Sequence, residues 1–262
     1  RRPPRSTLFP YTTLFRSCLI SNAVFGAISG SPPAATATFG KILYRPIANK
    51  YDETLSAGLI TSSASLSAII PPSISMIVYG VVAETSIATM FIAGVIPGLL
   101  IVAFIGIYLV FVSRKVAAEP LASAQEKRRA LWQGIPVLIL PVIILGGIYG
   151  GIFTPAEAGA VGAIYAAIIS IFVLKELNTK NIIKVFKDAS QLTIQVMILL
   201  ACSSVFAQAI TIAQAPQALS KAFEGIPVIG FLLMLNVLLL ILGFFIDSLS
   251  AILVFVPLLM PT

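Results

Sequence analysis

Apolar residues run through this chain in long blocks, and the polar residues gather between the blocks rather than along one face of each. Ile87–Val112, Ile135–Ile152, Pro155–Leu174 and Gln191–Ala213 are almost free of charge. Spans of ~20 apolar residues are long enough to cross a bilayer as helices. A further run, Leu55–Val82, is interrupted at Pro71–Pro72, and the last, from Ile226 onward, holds one acidic residue after Glu224, Asp247. Between them lie two basic stretches, Ser113–Gln133 and Lys175–Asp188, that predict interfacial amphipathic segments. Phe153–Glu157 predicts a tight turn into a helix, because Pro155 and Glu157 suit a first turn.

Two stretches break the helical pattern inside apolar surroundings. Phe25–Gly40, FGAISGSPPAATATFG, predicts a helix, a break at Ser29–Gly30–Ser31, and a second helix entered through Pro32 and Pro33. In lipid a broken backbone survives only where protein or a water-filled cavity covers it. Its freed carbonyls suit a cation, and the N-terminus of the helix from Ala34 suits an anion. The plainer reading is that these small residues only let helices pack closely. The second stretch is Gly243–Pro261, where Asp247 and Ser248 sit amid apolar residues. An acidic residue at a helix centre costs ~2.5–3.5 kcal/mol on insertion scales, so one found there faces a cavity or a partner, or else lies at the interface. The pentapeptide SLSAI occurs at Ser65–Ile69 and again at Ser248–Ile252, as a duplicated chain would leave it.

Composition sharpens this to an all-α polytopic membrane protein. Of 262 residues, 58% are hydrophobic and 10% charged, with mean hydropathy +1.02. A soluble domain carries roughly 25% charged residues. With no histidine and only Cys18 and Cys202, zinc clusters and disulfide frameworks are excluded. No phosphate-binding GxxxxGK[ST] loop occurs, so the chain does not hydrolyse ATP through one.

The formal charge of +7 is inflated by residues 1–17, RRPPRSTLFPYTTLFRS, which match the conceptual translation of a common sequencing adapter. They are set apart as non-native. What remains is 13 basic against 10 acidic residues, and no nucleic-acid partner is needed to explain it. Placing Lys41, Arg45 and Lys50 inside puts every native cation but Lys221 on that side, as the positive-inside rule asks. This holds if the Ser29 element is a re-entrant hairpin entered from inside, with the Asp247 break approached from outside.

Those stretches resemble the large membrane subunit of tripartite ATP-independent periplasmic (TRAP) transporters, the dicarboxylate permease type. The similarity is carried by FGAISGS at Phe25–Ser31, IIPPSISMIVYG at Ile69–Gly80, and MFIAGVIPGLL at Met90–Leu100. GIPVLILPVIILGGIYGGIFTPAEAGAV at Gly134–Val161 and LLLILGFFID at Leu238–Asp247 extend it. The resemblance implies the elevator fold of the ion-transporter superfamily, with inverted repeats and re-entrant hairpins. It implies Na⁺-coupled import of small organic anions, such as C4-dicarboxylates or sialic acids, across the inner membrane. Partners would be a periplasmic substrate-binding protein and a small membrane subunit, with Na⁺ as coupling ion and no other cofactor.

By that resemblance, residues 18–50 form the first hairpin, 51–112 the interrupted span and next helix, and 113–133 a linker. Residues 134–225 form scaffold helices, with a basic linker at 175–190, and 226–262 a second hairpin. Substrate would be held by Ser29, Gly30, Ser31, Ala34, Asp247 and Ser248; Na⁺ by Ser29, Ser31, Ser63, Ser67 and Ile70. Pro32 stands where the family usually has a second serine. Serines and alanines replace the usual glycines before Ile69–Pro72. The opening scaffold helices, and the repeat-two counterpart of the Pro71–Pro72 break with the second Na⁺ site, are expected to lie outside this chain. Alternatives are a related dicarboxylate carrier working without a binding protein, a passive channel or structural subunit, and an intramembrane serine hydrolase. The last would need Lys as base, and every native Lys falls at an interface in this topology.

Overall fold

The computed structural model describes residues 13–49, 51–112, 124–178, 181–223 and 225–259, and no strand occurs among them. Among the described residues four helices are long and apolar enough to cross a membrane: Ile87–Val112, Arg128–Tyr149, Pro155–Val173 and Ile182–Ile212. The chain divides into two compact units, residues 1–76 with 88–169, and 77–87 with 170–262.

In the first unit α1 (Thr13–Ser29) and α2 (Pro32–Ala48) fold back on each other about the break at Gly30. The rings of Phe25 and Phe39 meet edge to face, with centroids 5.5 Å apart, which only a hairpin allows. Helix α2 continues through Pro46 to Ala48. The hydrogen bond lost there is offset by Ile47, fully buried in the unit's core with Cys18, Leu19, Leu59, Ile60, Leu66 and Leu109. Helix α3 (Glu53–Ala64) packs on both hairpin arms. It starts where the Asp52 carboxylate accepts from the Thr54 and Leu55 N–H groups at 3.0 and 3.2 Å. The interruption predicted at Pro71–Pro72 opens earlier, as a 3₁₀ turn over Ser65–Ala68. The helix resumes as α4 (Ile74–Val82).

Helix α5 (Ile87–Val112) is the predicted span. Residues 113–123 of the expected interfacial linker lie outside the described residues. Its remainder, Ala124–Gln133, belongs to α6 (Ala124–Tyr149) and prolongs the next span. The turn into α7 (Pro155–Ile168) is a capping box. Thr154 Oγ1 accepts from the Glu157 N–H at 3.3 Å, and Glu157 Oε2 accepts from the Thr154 N–H at 2.8 Å. Thr154→Ala should cost about 1 kcal/mol, read as a fall of a few degrees in the unfolding temperature of the full-length protein in detergent. An unchanged temperature would mean the box does not set this boundary. A wider π turn, Ile169–Val173, ends this helix.

In the second unit the sequence pattern predicts a basic segment and a separate span over residues 175–213. The structure instead has one helix, α8 (Ile182–Ile212). Nothing between Asp188 and Gln191 stops a helix, and Ser190 spends its hydroxyl on the Phe186 carbonyl one turn back, at 2.7 Å. The polar stretch before the last apolar run is itself helical, α9 (Ala215–Phe223). Then come α10 (Val228–Leu242) and α11 (Ser248–Leu259), with a break at 243–247 between them. At 15 and 12 residues, these arms are each shorter than the ~20 residues a crossing needs. The two SLSAI copies occupy different places. The first precedes its break as a 3₁₀ turn, and the second follows its break as the start of α11. The echo therefore marks no equivalent pair of elements.

Candidate functional site: the first hairpin tip on the interrupted helix

The tip is built by three small residues with separate tasks. Gly30 takes φ +60°, the left-handed region where a Cβ is penalised, and its N–H closes α1 on the Gly26 carbonyl at 2.8 Å. Ser29 Oγ accepts from the Ser31 N–H at 3.4 Å. Ser31, extended at φ −126° and ψ 110°, caps α2 by accepting from the Ala34 N–H at 3.5 Å. Since Pro32 and Pro33 carry no N–H, that cap occupies the first donor α2 has. The α2 terminus thus offers an anion its dipole, while its leading donor is engaged.

This tip lies against the break in the neighbouring helix. The Gly30 carbonyl accepts from the Ile74 N–H at 3.2 Å, at the start of α4. A Cβ on Gly30 would stand 2.9 Å from the Pro72 carbonyl oxygen and 3.2 Å from Ser73 Cα. Ser73, fully buried, donates its hydroxyl to the Ala68 carbonyl at 2.6 Å and accepts from the Met76 N–H at 3.5 Å. Four helix ends therefore meet: the C-termini of α1 and of the Ser65–Ala68 turn, and the N-termini of α2 and α4. C-terminal carbonyls favour a cation and N-termini an anion, so both charges find a place within one locus.

The other predicted ligands separate. Ser67 is fully buried one turn below the tip, its hydroxyl pressed against Gly26. Ile70 lies in the break itself, and its N–H donates to the Leu66 carbonyl at 2.8 Å. Ser63 lies lower still, its hydroxyl approaching the Cys18 thiol without reaching hydrogen-bond geometry. Cys18 precedes Gly30 by three helical turns, about 18 Å along α1. Ser63 therefore does not share an ion with Ser29 and Ser31.

Asn22, Gly26 and Ser73 join the site without having been predicted for it. Cys18, Asn22, Gly26 and Gly30 recur every four residues, a ridge legible in the sequence, and this ridge faces Ser63, Ser67 and Ser73. Asn22 donates to the Cys18 carbonyl at 3.0 Å. Its Oδ1, with Ser63 Oγ and Ser67 Oγ, is buried without a hydrogen-bond partner. Three such oxygens at one helix contact suit a small hard cation or water.

In the second unit Asp247 is exposed and caps its own helix. Its Oδ2 accepts from the Leu249 and Ser250 N–H groups at 3.0 and 3.4 Å, and its Oδ1 from the Ser250 hydroxyl. Ser248 lines a cavity of about 560 Å³ with Gly243, Ile246, Tyr79 and Phe231. The lining is mostly apolar, so the polar chemistry of this tip rests with Asp247 and Ser248 at its rim.

A family model described as "Tripartite ATP-independent periplasmic transporter, DctM component" matches residues 14–262. The C4-dicarboxylate TRAP transporter large permease protein DctM of Pseudomonas aeruginosa is 38% identical over 94% of this chain and 58% of its own length. The ectoine TRAP transporter large permease protein TeaC of Halomonas elongata is also 38% identical, over 94% and 58%. The sialic acid TRAP transporter large permease protein SiaM of Vibrio cholerae is 35% identical, over 93% and 58%. The chain thus spans about three-fifths of the length of these relatives.

Proposed function

The chain belongs to the DctM-component family of tripartite ATP-independent periplasmic transporters, a family of transport permeases rather than enzymes, and on that premise we propose that it forms the sodium-binding half of an organic-anion importer. The observation that supports this reading best is the meeting of four helix ends where Gly30 reaches Ile74. A Na⁺ ion there would take hydroxyl and carbonyl oxygens from Ser29, Ser31 and the Ser67–Ile70 stretch. These are hard oxygens, the kind alkali cations prefer, and the C-terminal dipoles of α1 and the 3₁₀ turn add to them. With that charge in place, a substrate carboxylate would sit at the N-terminal ends of α2 and α4. Ser63 is left outside this ligand set by its distance along α1.

Asp247 acts in this scheme as the cap that shapes the second tip, with Ser248 beside it facing substrate. Two carboxylates in contact would repel, so Asp247 contributes to substrate binding through the helix end it organises. The two hairpins and their broken helices would move as one body in the inner membrane, in an elevator cycle between inverted repeats. Substrate would be delivered by a periplasmic binding protein and the complex completed by a small membrane subunit. The relatives' printed substrates, C4-dicarboxylate, ectoine and sialic acid, all carry a carboxylate, and an organic acid is the class proposed here.

The test uses the full-length protein with its partner subunits in proteoliposomes. Uptake of succinate or sialic acid should require a Na⁺ gradient, and Ser29→Ala and Ser31→Ala should each raise the Na⁺ concentration for half-maximal uptake by about tenfold, the ~1.4 kcal/mol of one charge-assisted ligand. Unchanged Na⁺ dependence in both variants would remove these ligands from the mechanism. The sign of the Ser67→Ala effect is a second test. With no occupant, deleting an orphaned buried hydroxyl stabilises or is neutral; with Na⁺ bound there, it costs stability only when Na⁺ is present.

A further inference from the structure

Helix α11 contains Pro257, and proline has no N–H to donate. In an α-helix residue 257 would donate to the carbonyl of residue 253. The Leu253 carbonyl therefore loses its helical partner by covalent structure alone. Leu253 is 3% exposed, so water does not replace that partner, and an unpaired buried carbonyl is costly. The Ser203 hydroxyl on α8, itself 9% exposed, donates to this oxygen at 2.5 Å. Ser190, Thr193, Ser204 and Thr211, also on α8, all turn their hydroxyls back onto carbonyls of their own helix. Ser203 instead reaches another element, at the one carbonyl of α11 that its proline has vacated. The two helices pack together along this contact.

We infer that Ser203 is a positioning residue whose hydroxyl stands in for the N–H missing from Pro257, pinning α11 to α8 in the arrangement seen here. Leu253 lies six residues, about 9 Å of helix, from Asp247. The pin thereby sets where the α11 N-terminus and Ser248 sit. This last step rests on the proposed role of that tip in holding substrate; the pin itself does not.

The experiment is a double-mutant cycle in the full-length protein. Thermal unfolding in detergent is measured for Ser203→Ala, Pro257→Ala, their combination, and Ser203→Thr. Ser203→Ala should lower the unfolding temperature by roughly 2–4 °C, and Ser203→Thr should hold the parent value. In the Pro257→Ala background, where residue 257 again donates to Leu253, the same Ser203→Ala change should cost less than half as much. Equal losses in both backgrounds would overturn the pin. Should Ser203→Ala fail to accumulate, the double variant should accumulate, and its failure to do so would overturn the pin equally. For the tip, Ser203→Ala should raise KM for succinate uptake with kcat little changed, and Pro257→Ala should not restore it, because the recovered N–H mends α11 without tying it to α8. A coupled unfolding cycle with unaltered KM would overturn the link to the tip. The unfolding cycle involves no substrate, so it tests the pin whatever the permease carries.

Discussion

Gly30→Ala in the full-length protein is expected to abolish uptake and to cost about 2–5 kcal/mol of stability, the sum of a left-handed backbone penalty and overpacking against a rigid neighbour. Two independent facts require this. At φ +60° any Cβ is strained, and a methyl group here would stand 2.9 Å from the Pro72 oxygen and 3.1 Å from the Ile74 nitrogen. Those atoms are main chain, so no rotamer change relieves the clash, and the tip must lift off the break. The control is Gly40→Ala on α2, where a Cβ meets nothing within 4 Å. It should be neutral or stabilising by about 0.5–1 kcal/mol, since alanine suits a helix interior better than glycine. Unfolding temperature and uptake, measured on both variants, decide the matter. Wild-type transport by Gly30→Ala would mean that the contact between tip and break is dispensable.

Gly94→Ala is the second large effect, at about 1–3 kcal/mol. At Gly94, α5 passes against the interrupted helix. A Cβ there would run into the Met76 side chain and stand 2.7 Å from the Ile69 carbonyl oxygen. Methionine is flexible and can retreat; the carbonyl cannot without moving the break. Gly94→Ala combined with Met76→Ala should therefore recover only part of the loss. Full recovery would show that the side chain alone sets the spacing and that α5 does not hold the break in place.

Both effects involve residues whose importance the sequence shows unevenly. The first break is legible because proline after small polar residues has few other meanings inside an apolar run, and the second because Asp247 stands alone among apolar residues; the helices part at Gly30 and before Ser248. The span Ile87–Val112 is legible because it carries no charge over 26 residues, and it stays helical through Pro97. The start of helix α8 is not, because Lys184, Lys187 and Asp188 resemble a boundary in the charge pattern. Charge alone does not stop a helix, and no proline or glycine lies there to do so. The ligand set is legible by residue type and not by position. Hydroxyls of Ser29, Ser31 and Ser67 are visible in the string, but Ser63 belongs three turns away from the tip, which only the pairing of α1 with α3 reveals. Asn22 escapes a sequence reading because a lone amide in an apolar helix carries no motif. It becomes significant only when its oxygen is found buried without a partner.

The bond from Ile74 to Gly30 joins main chain to main chain, and this limits how the molecule can work. Neither its donor nor its acceptor is a side-chain atom, so no change of rotamer or protonation releases it, and side chains around it can diverge as long as Gly30 stays bare. The first hairpin is in this respect a wall and not a door. In the proposed transport cycle the first tip and the break it lies against would therefore travel together.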